Sequence, residues 1–433
     1  MINFFKKPKV WIAAIIVAGV LAYLFLTDFG AIKKIIGYNI PQTTKLPAGV
    51  SFLRAPEGFV VSEFAKDLKD PRVITFDPEG RILVSETAEG KVMVLEDKNK
   101  DGVVDEKRVV LENLNKPHGL AFYTDSKTKT VYLYIAETNQ VARYIYDEKN
   151  GGILEQNKIG YNIANLPADG RHFTRTIEFG PNYQTQPIVQ GVAEETMSPI
   201  KLYISVGSSC DVCVEQSWKN GAILESDPDG SYTAELAGGL RNSVFFTFHP
   251  ETKQMWATEM GRDNLGDDLP PDEVNIIKPN RKYGWPFCYG KQIKDKSFSP
   301  AKINRTDIPR DCNLTQLPVI EIPAHSAPLG LAFITNKDWP KEWEGDLLVA
   351  YHGSWNRSVP TGYKVVRYAV DKNGKVSETA DFITGWLDEN GNPSTGSGQG
   401  TYGRPVDLKF GPDGALYISD DNSGRIYKVE RIK

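Results

Sequence analysis

The sequence predicts an all-β fold, a six-bladed β-propeller preceded by one N-terminal transmembrane helix. Three observations carry this expectation: an uncharged stretch near the N-terminus, a strand–turn–strand pattern that recurs six times after it, and no long helical periodicity among the repeats. Composition agrees. The 433 residues are 40% apolar and 24% charged, as in ordinary globular chains, and 38 Gly with 27 Pro supply many turns.

The first element is the anchor. Lys6, Lys7 and Lys9 precede Val10 to Leu26, seventeen residues without a charge, against the roughly 17–25 needed to span a bilayer. An anchor is favoured over a cleaved signal peptide because no Ala-x-Ala precedes a cut near Leu24 to Asp28. The leading lysines put the N-terminus in the cytoplasm and the body on the periplasmic side of a cell inner membrane. Residues 1–27 are thus read as cytoplasmic tip and anchor, 28–49 as linker and 50–433 as propeller.

The repeat pairs a strand ending in Phe with a Pro/Gly/Asp turn and a second strand ending small-hydrophobic-Ser-Asp/Glu. Its sharpest copies are Val73 to Glu86 and Val406 to Asp420, and the six closing phenylalanines are Phe76, Phe122, Phe179, Phe248, Phe333 and Phe410. Their separations of 46, 57, 69, 85 and 77 residues suit four-stranded blades with growing insertions. Phe59 to Phe64 precedes the first copy and is expected to complete the last blade, closing the ring without exposed edges.

Ring geometry then brings residues from all six copies to one mouth of the axial channel. Four positions before each Phe stand Arg72, His118, Arg175, Val244, Leu329 and Val406; seven before stand His172 and Arg241, and Arg404 lies six before Phe410. A chain whose formal charge is -4 therefore gathers Arg and His at one place, which suits an anionic ligand. With 51 basic residues against 55 acidic and no long basic run beyond the N-terminus, nucleic acid is not an expected partner.

The four cysteines, Cys210-x-x-Cys213 and Cys288…Cys312, read as two disulfides in an oxidising compartment. A zinc site is the alternative, disfavoured by the long gap in the second pair. Asp97, Asn99, Asp101, Gly102 and Asp105 match the first half of an EF-hand loop, but position twelve is Arg108, so a weak calcium site and a solvated turn both stay open.

Several separated segments carry a family likeness: Arg241-Asn242-Ser243, Trp256 to Asn275 with Glu-Met-Gly-Arg-Asp inside it, Lys282-Tyr-Gly-Trp-Pro286, His352-Gly-Ser-Trp-Asn-Arg357 and Gly403-Arg-Pro-Val-Asp407. Over residues 50–433 the chain resembles the glucose/sorbosone dehydrogenases that use pyrroloquinoline quinone (PQQ), and most of all their sorbosone-dehydrogenase-like and aldose-dehydrogenase-like branches. The resemblance implies oxidation of an aldose or related sugar, with PQQ and Ca2+ as cofactors and electrons passed to an external acceptor, a quinone or a cytochrome. It implies His172 as general base; Arg241 and Asn242 beside the reactive carbonyl; Arg404 on a cofactor carboxylate, with Arg357 the nearest candidate for a further contact; and the backbone carbonyls of Gly261 and Arg262 on calcium, while their places at the channel mouth add Arg175 and His118 to the cofactor set. Asp272 and Glu273 match family positions near metal, and His352 and Trp355 could shape the sugar pocket. Lys364 is a second choice for the contact assigned to Arg357.

Each role is chemically reasonable. Guanidinium forks suit a tricarboxylate, hard calcium prefers oxygen ligands, and a His of ordinary pKa is a fitting base at neutral pH. A lactonase-type propeller hydrolase would need carboxylate and Asn ligands converging on the axis, where this chain carries Arg and His. A non-catalytic binding propeller has only the fold in its favour.

Overall fold

A computed structural model describes residues 44–45, 50–183, 199–300, 307–387 and 402–432. The expected anchor lies outside the described residues, and among those described no helix is long and apolar enough to cross a membrane. Apart from short 3-10 turns the described chain is all β. Thr44–Lys45, within the expected linker, already pairs with Arg54–Ala55.

Six sheets follow one another as blades, each with four antiparallel strands and opening on the strand that carries the repeat's Phe: Pro71–Phe76, Leu120–Thr124, Ile177–Pro181, Phe246–Phe248, Pro328–Phe333 and Pro405–Phe410. The N-terminal strand Phe59–Ala65 is the outer strand of blade 6, paired with Arg425–Arg431 in the register Val61↔Val429. This joins the two ends of the ring by a ladder of backbone bonds, as the sequence led one to expect. The widest Phe spacing has a cause as well. Blade 4 departs after Asp272–Ile277 into an excursion that lends Arg281–Lys282 to blade 3 as a parallel fifth strand, then returns as Ile320–Ile322.

The repeat's Ser/Thr-Glu/Asp ending has a structural job. Its hydroxyl ties neighbouring blades: Ser205 Oγ donates to Val244 O at 3.1 Å, Thr258 Oγ1 to Leu329 O at 2.8 Å and Ser419 Oγ to Arg72 O at 2.5 Å. Its carboxylate accepts backbone N–H groups of the loop that leads into the inner strand. Glu86 takes Lys69 N at 2.8 Å, Glu137 takes Asn115 N at 2.5 Å, Glu259 takes Arg241 N and Asn242 N at 2.6 and 2.9 Å, and Asp420 takes Arg404 N at 2.9 Å. Each such bond is worth about 1 kcal/mol net, and losing the carboxylate would leave buried amides unpaired at roughly 1–3 kcal/mol each. The acidic residue of the motif is therefore what fixes the loops that carry Arg241, Asn242 and Arg404. Trp256, Tyr134, Leu83 and Leu133 are among the side chains that fill the spaces between sheets, with no exposed surface.

Candidate active site

The lead-in loops of blades 3, 4, 5, 6 and 1 are linked by a chain of contacts. Arg404 of blade 6 donates Nε to His352 O at 3.1 Å and Nη2 to Gly353 O, and lies over the Tyr363 ring at 5.3 Å. His352 of blade 5 bonds Asp421 of blade 6 through Nε2 at 2.9 Å, and Asp421 in turn pairs with Arg72 of blade 1 at 2.5 Å. Burial tends to raise the Asp421 carboxyl, but His352, Arg72 and Arg404 outweigh it and hold it down at about 2. Its charge does not keep His352 protonated. Burial pulls that imidazole down to about 4.

Blade 3 supplies the expected base. His172 Nδ1 faces Ser208 O at 2.9 Å and Ser208 Oγ at 3.1 Å. That hydroxyl spends its own proton on Cys210 O at 2.6 Å, so both partners of Nδ1 are acceptors and Nδ1 must carry the hydrogen. Nε2 is left with a lone pair and no protein partner among the described residues. Burial first, and the Arg241 charge second, press His172 down to about 3. The ordinary pKa expected from sequence is thereby corrected: this His is neutral far below neutral pH.

Blade 4 presents Arg241, only 3% exposed. Its Nε donates to Asp211 O at 3.1 Å, and its Nη2 to Asp211 Oδ1 at 2.8 Å and to Asp263 Oδ2 at 3.0 Å. Asp263 also receives Arg171 at 2.6 Å and Asn356 Nδ2 at 2.9 Å, which ties blade 4 to blades 3 and 5. Next to Arg241, the Asn242 amide nitrogen lies 3.5 Å from Met260 Sδ, while its Oδ1 is buried without a partner.

The structure brings His172, Arg241, Asn242, Arg404 and His352 into this chain of contacts and turns other candidates elsewhere; His118, fully buried, faces Thr176 Oγ1 at 3.4 Å through Nδ1 and packs against the Phe245 ring. Arg175, fully buried, donates to the backbone carbonyls of Thr138, His172, Thr174 and Pro167 at 2.8–3.1 Å. It clamps the loop of His172, and its expected contact with a ligand is corrected to that. Arg357 holds Asp267 O, Ala324 O and Asp268, and Lys364 pairs with Asp381 on the outer strand of blade 5 at 2.7 Å. Both are engaged within the protein. Trp355 is 63% exposed at the rim. His249 caps its own turn by accepting from Glu251 N and Thr252 N, and His325 braces Gly266 O.

The metal expectations divide in the same way. Asp272 gives one oxygen to Gly261 N at 2.8 Å and the other to Ala327 N at 2.9 Å, while Glu273 accepts from Gly290 N and Asn275 Nδ2. Burial raises these carboxyls to about 7 and about 8. As arranged they are backbone clamps, and Asp272 sets the Gly261 segment. The side chain of Arg262 is occupied by Asp295 and Ser297, but no described residue donates to the carbonyls of Gly261 or Arg262. In the 97–106 loop Asp97, Asn99, Asp101 and Asp105 turn oxygens onto backbone amides. Among the described residues the one group of three ligand atoms close enough for a metal is Cys210, Cys213 and Glu215. Both disulfides are formed, Cys210–Cys213 and Cys288–Cys312, so the first pair offers no thiolate.

Three observations test the fit of a cofactor. Asn242 Oδ1, Asn356 Oδ1 and His118 Nε2 are buried polar atoms without partners in the described protein, an expensive state unless something else satisfies them. Gly207 separates two of the key groups, for a Cβ there would stand 2.5 Å from Asn242 Oδ1 and 2.6 Å from His172 Cβ. Open carbonyl oxygens at Gly261 and Arg262 are the donor set that a hard cation takes. The residues present fit an anionic, hydrogen-bonding cofactor with calcium beside it.

Sequence reasoning missed Ser208, Asp211, Asp263, Asn356 and Asp421. Asp263 and Asn356 stand inside quoted motifs, and Asp421 follows the Ser-Asp of the sixth repeat. Asp211 stands inside Cys-x-x-Cys, where the cysteines draw the reading to a crosslink or a metal.

The sequence model of the TrAA12-like family matches residues 53–432. A pyrroloquinoline quinone-dependent pyranose dehydrogenase of Coprinopsis cinerea is 27% identical over 433 residues, covering 88% of this chain; the chain spans only 55% of that relative's length. A pyrroloquinoline quinone-dependent sugar dehydrogenase of Hypocrea jecorina is 23% identical, with 87% of this chain and 89% of that one covered. The calcium structure of the Trichoderma reesei AA12 enzyme superposes with a TM-score of 0.69 at 22% identity, covering 90% of this chain and 99% of that one.

Proposed function

The chain belongs to the TrAA12-like family, and on that premise we propose that it is a quinoprotein dehydrogenase which oxidises an aldose or related sugar with PQQ and calcium. The observation that carries this reading is the pairing of a neutral His172, its Nε2 free, with the buried, unpartnered Asn242 Oδ1 across Gly207. His172, Arg241, Asn242 and Arg404 would line the cofactor, and the Gly261 and Arg262 carbonyls would bind the calcium. When bound, the quinone supplies a carbonyl carbon that accepts hydride and calcium polarises that carbonyl.

The protein's part is proton handling and charge. Oxidation at the anomeric carbon removes a hydride from carbon and a proton from its hydroxyl. His172 Nε2 accepts that proton, because Nδ1 is committed to Ser208 and the ring is neutral before reaction. The Arg241 guanidinium, already fixed by Asp211 and Asp263, needs little rearrangement to stabilise developing negative charge. His352 and Arg404 sit beside each other and offer polar contacts to sugar or cofactor carboxylates.

Residues 10–26 anchor the chain in the inner membrane with the propeller on the periplasmic side, and a membrane quinone or a cytochrome takes the electrons. The apolar, uncharged run and the two disulfides support that location. The test is dye-linked oxidation of a panel of aldoses by purified protein with and without PQQ and calcium. Activity that needs both supports the reading; sugar-lactone hydrolysis without PQQ would favour the hydrolase instead.

A further inference from the structure

The Cys210–Cys213 turn lies between the two groups that the proposed reaction needs most. On its N-terminal side Ser208 presents its carbonyl and hydroxyl to His172 Nδ1, and that hydroxyl is fixed by donating to Cys210 O, the first residue of the turn. Within the turn Asp211 grips one edge of Arg241 twice, through its carbonyl to Nε and through Oδ1 to Nη2. The same carbonyl receives Trp285 Nε1 at 3.2 Å, and the same Oδ1 receives Asp263 N at 2.9 Å. Ser209 is pinned to Glu215 through both its amide and its hydroxyl, at 2.6 and 2.7 Å.

No strand runs through residues 207–221. Backbone bonds hold its first residues, Ser208 N donating to Arg241 O at 2.7 Å and Arg171 N to Ser209 O at 2.9 Å; from Cys210 to Cys213 the turn is held by the crosslink and these side-chain bonds. We propose that the disulfide-closed turn is a positioning element for both reacting groups, with Ser208 setting the tautomer of His172 and Asp211 setting the plane of the Arg241 guanidinium. The inference rests on the dehydrogenase reading for its catalytic consequence, but not for its structural one. Opening the disulfide frees Cys210 O from its fixed place, and the Ser208 hydroxyl can then rotate and donate to Nδ1. Because the Ser208 carbonyl still faces Nδ1 at 2.9 Å, the two compete, and in the part of the population where the hydroxyl wins the ring hydrogen moves to Nε2 and the lone pair aimed at substrate is lost. The same opening lets Asp211 leave Arg241, so one break disturbs proton acceptance and charge stabilisation together.

Histidine 15N NMR on apo-protein reads the tautomer without any cofactor or turnover. Between pH 5 and 8 the wild type should show His172 neutral with hydrogen on Nδ1, and the Cys210→Ser/Cys213→Ser double variant should show a mixture with Nε2–H. In parallel the double variant should lose about tenfold or more in turnover per bound PQQ, with the acid limb of kcat/KM moving up towards pH 6 as the ring becomes more accessible. Asp211→Asn keeps the crosslink and covers the case in which the double variant does not fold. It should leave the tautomer unchanged while weakening PQQ binding about tenfold in an absorbance titration. An Nδ1–H tautomer with wild-type turnover per bound PQQ in the double variant, or unchanged PQQ affinity in Asp211→Asn, overturns the proposal. If the wild type itself neither binds nor reduces PQQ, the dehydrogenase reading fails, and the tautomer comparison still decides the role of the turn.

Discussion

The Arg241 guanidinium helps keep the His172 imidazole neutral: the two stand on adjacent blades, and burial followed by the Arg241 charge takes the ring down to about 3. A base must be unprotonated to work, so the depressed pKa keeps it available to lower pH while making it a weaker proton acceptor. The acid limb of kcat/KM should accordingly lie below pH 5, with a flat profile from pH 5 to 8. A limb near 6.5 would mean that His172 is more exposed in solution, or that another group is the base.

His172→Gln should retain PQQ and calcium while turnover falls by roughly 10²–10⁴, the usual contribution of general-base catalysis. Turnover per bound cofactor close to wild type would pass the role to His352, whose Nδ1 is left open when Nε2 engages Asp421.

The same substitution reports on stability. His172 binds its proton more weakly folded, at about 3, than unfolded, near 6.5. The wild type therefore has full stability from this group above 6.5 and loses it as pH falls below that, by about 2 kcal/mol at pH 5. Denaturant titrations at pH 7 and pH 5 should show that His172→Gln lacks this share of the acid loss. Equal losses in the two proteins would contradict the buried, neutral ring.

Arg404 and Arg241 should differ when truncated. Arg404→Ala removes contacts to two carbonyls and a Tyr face, so PQQ affinity should drop at least about tenfold with modest loss of stability. Arg241→Ala leaves Asp211 and Asp263 short of a cation in a buried site, and should cost stability as well, on the order of 3 kcal/mol. Equal melting temperatures for the two variants would argue against the pairing described.

Removing residues 1–30 should move the protein from the membrane fraction to the soluble one with the propeller intact, since the first described pairing begins at Thr44. Retention of the truncated chain on membranes would place the anchor elsewhere.

The six blades were legible because Phe-ended strands recur in every copy and a closing Ser/Thr or Asp/Glu in most, where the hydroxyl makes an inter-blade bond or the carboxylate a loop cap. His172 and Arg241 were legible because offsets from a repeat translate into positions on a ring. The partners that set their chemistry were not. Asp211, Asp263 and Asn356 lie in irregular loops whose folded path no periodicity reports, and the roles given to Arg175 and Arg357 depended on where a long side chain ends. The depressed pKa of His172 was invisible for the same reason, being a sum of burial and a neighbour's charge.

The most direct test is stopped-flow mixing of PQQ- and calcium-loaded protein with an aldose in the absence of any electron acceptor. The expected result is loss of the bound quinone absorbance, one equivalent per site, in wild type, and slowing of that step by roughly 10²–10⁴ in His172→Gln. No change in the quinone band with any aldose, despite stoichiometric cofactor binding, would contradict sugar oxidation at this site.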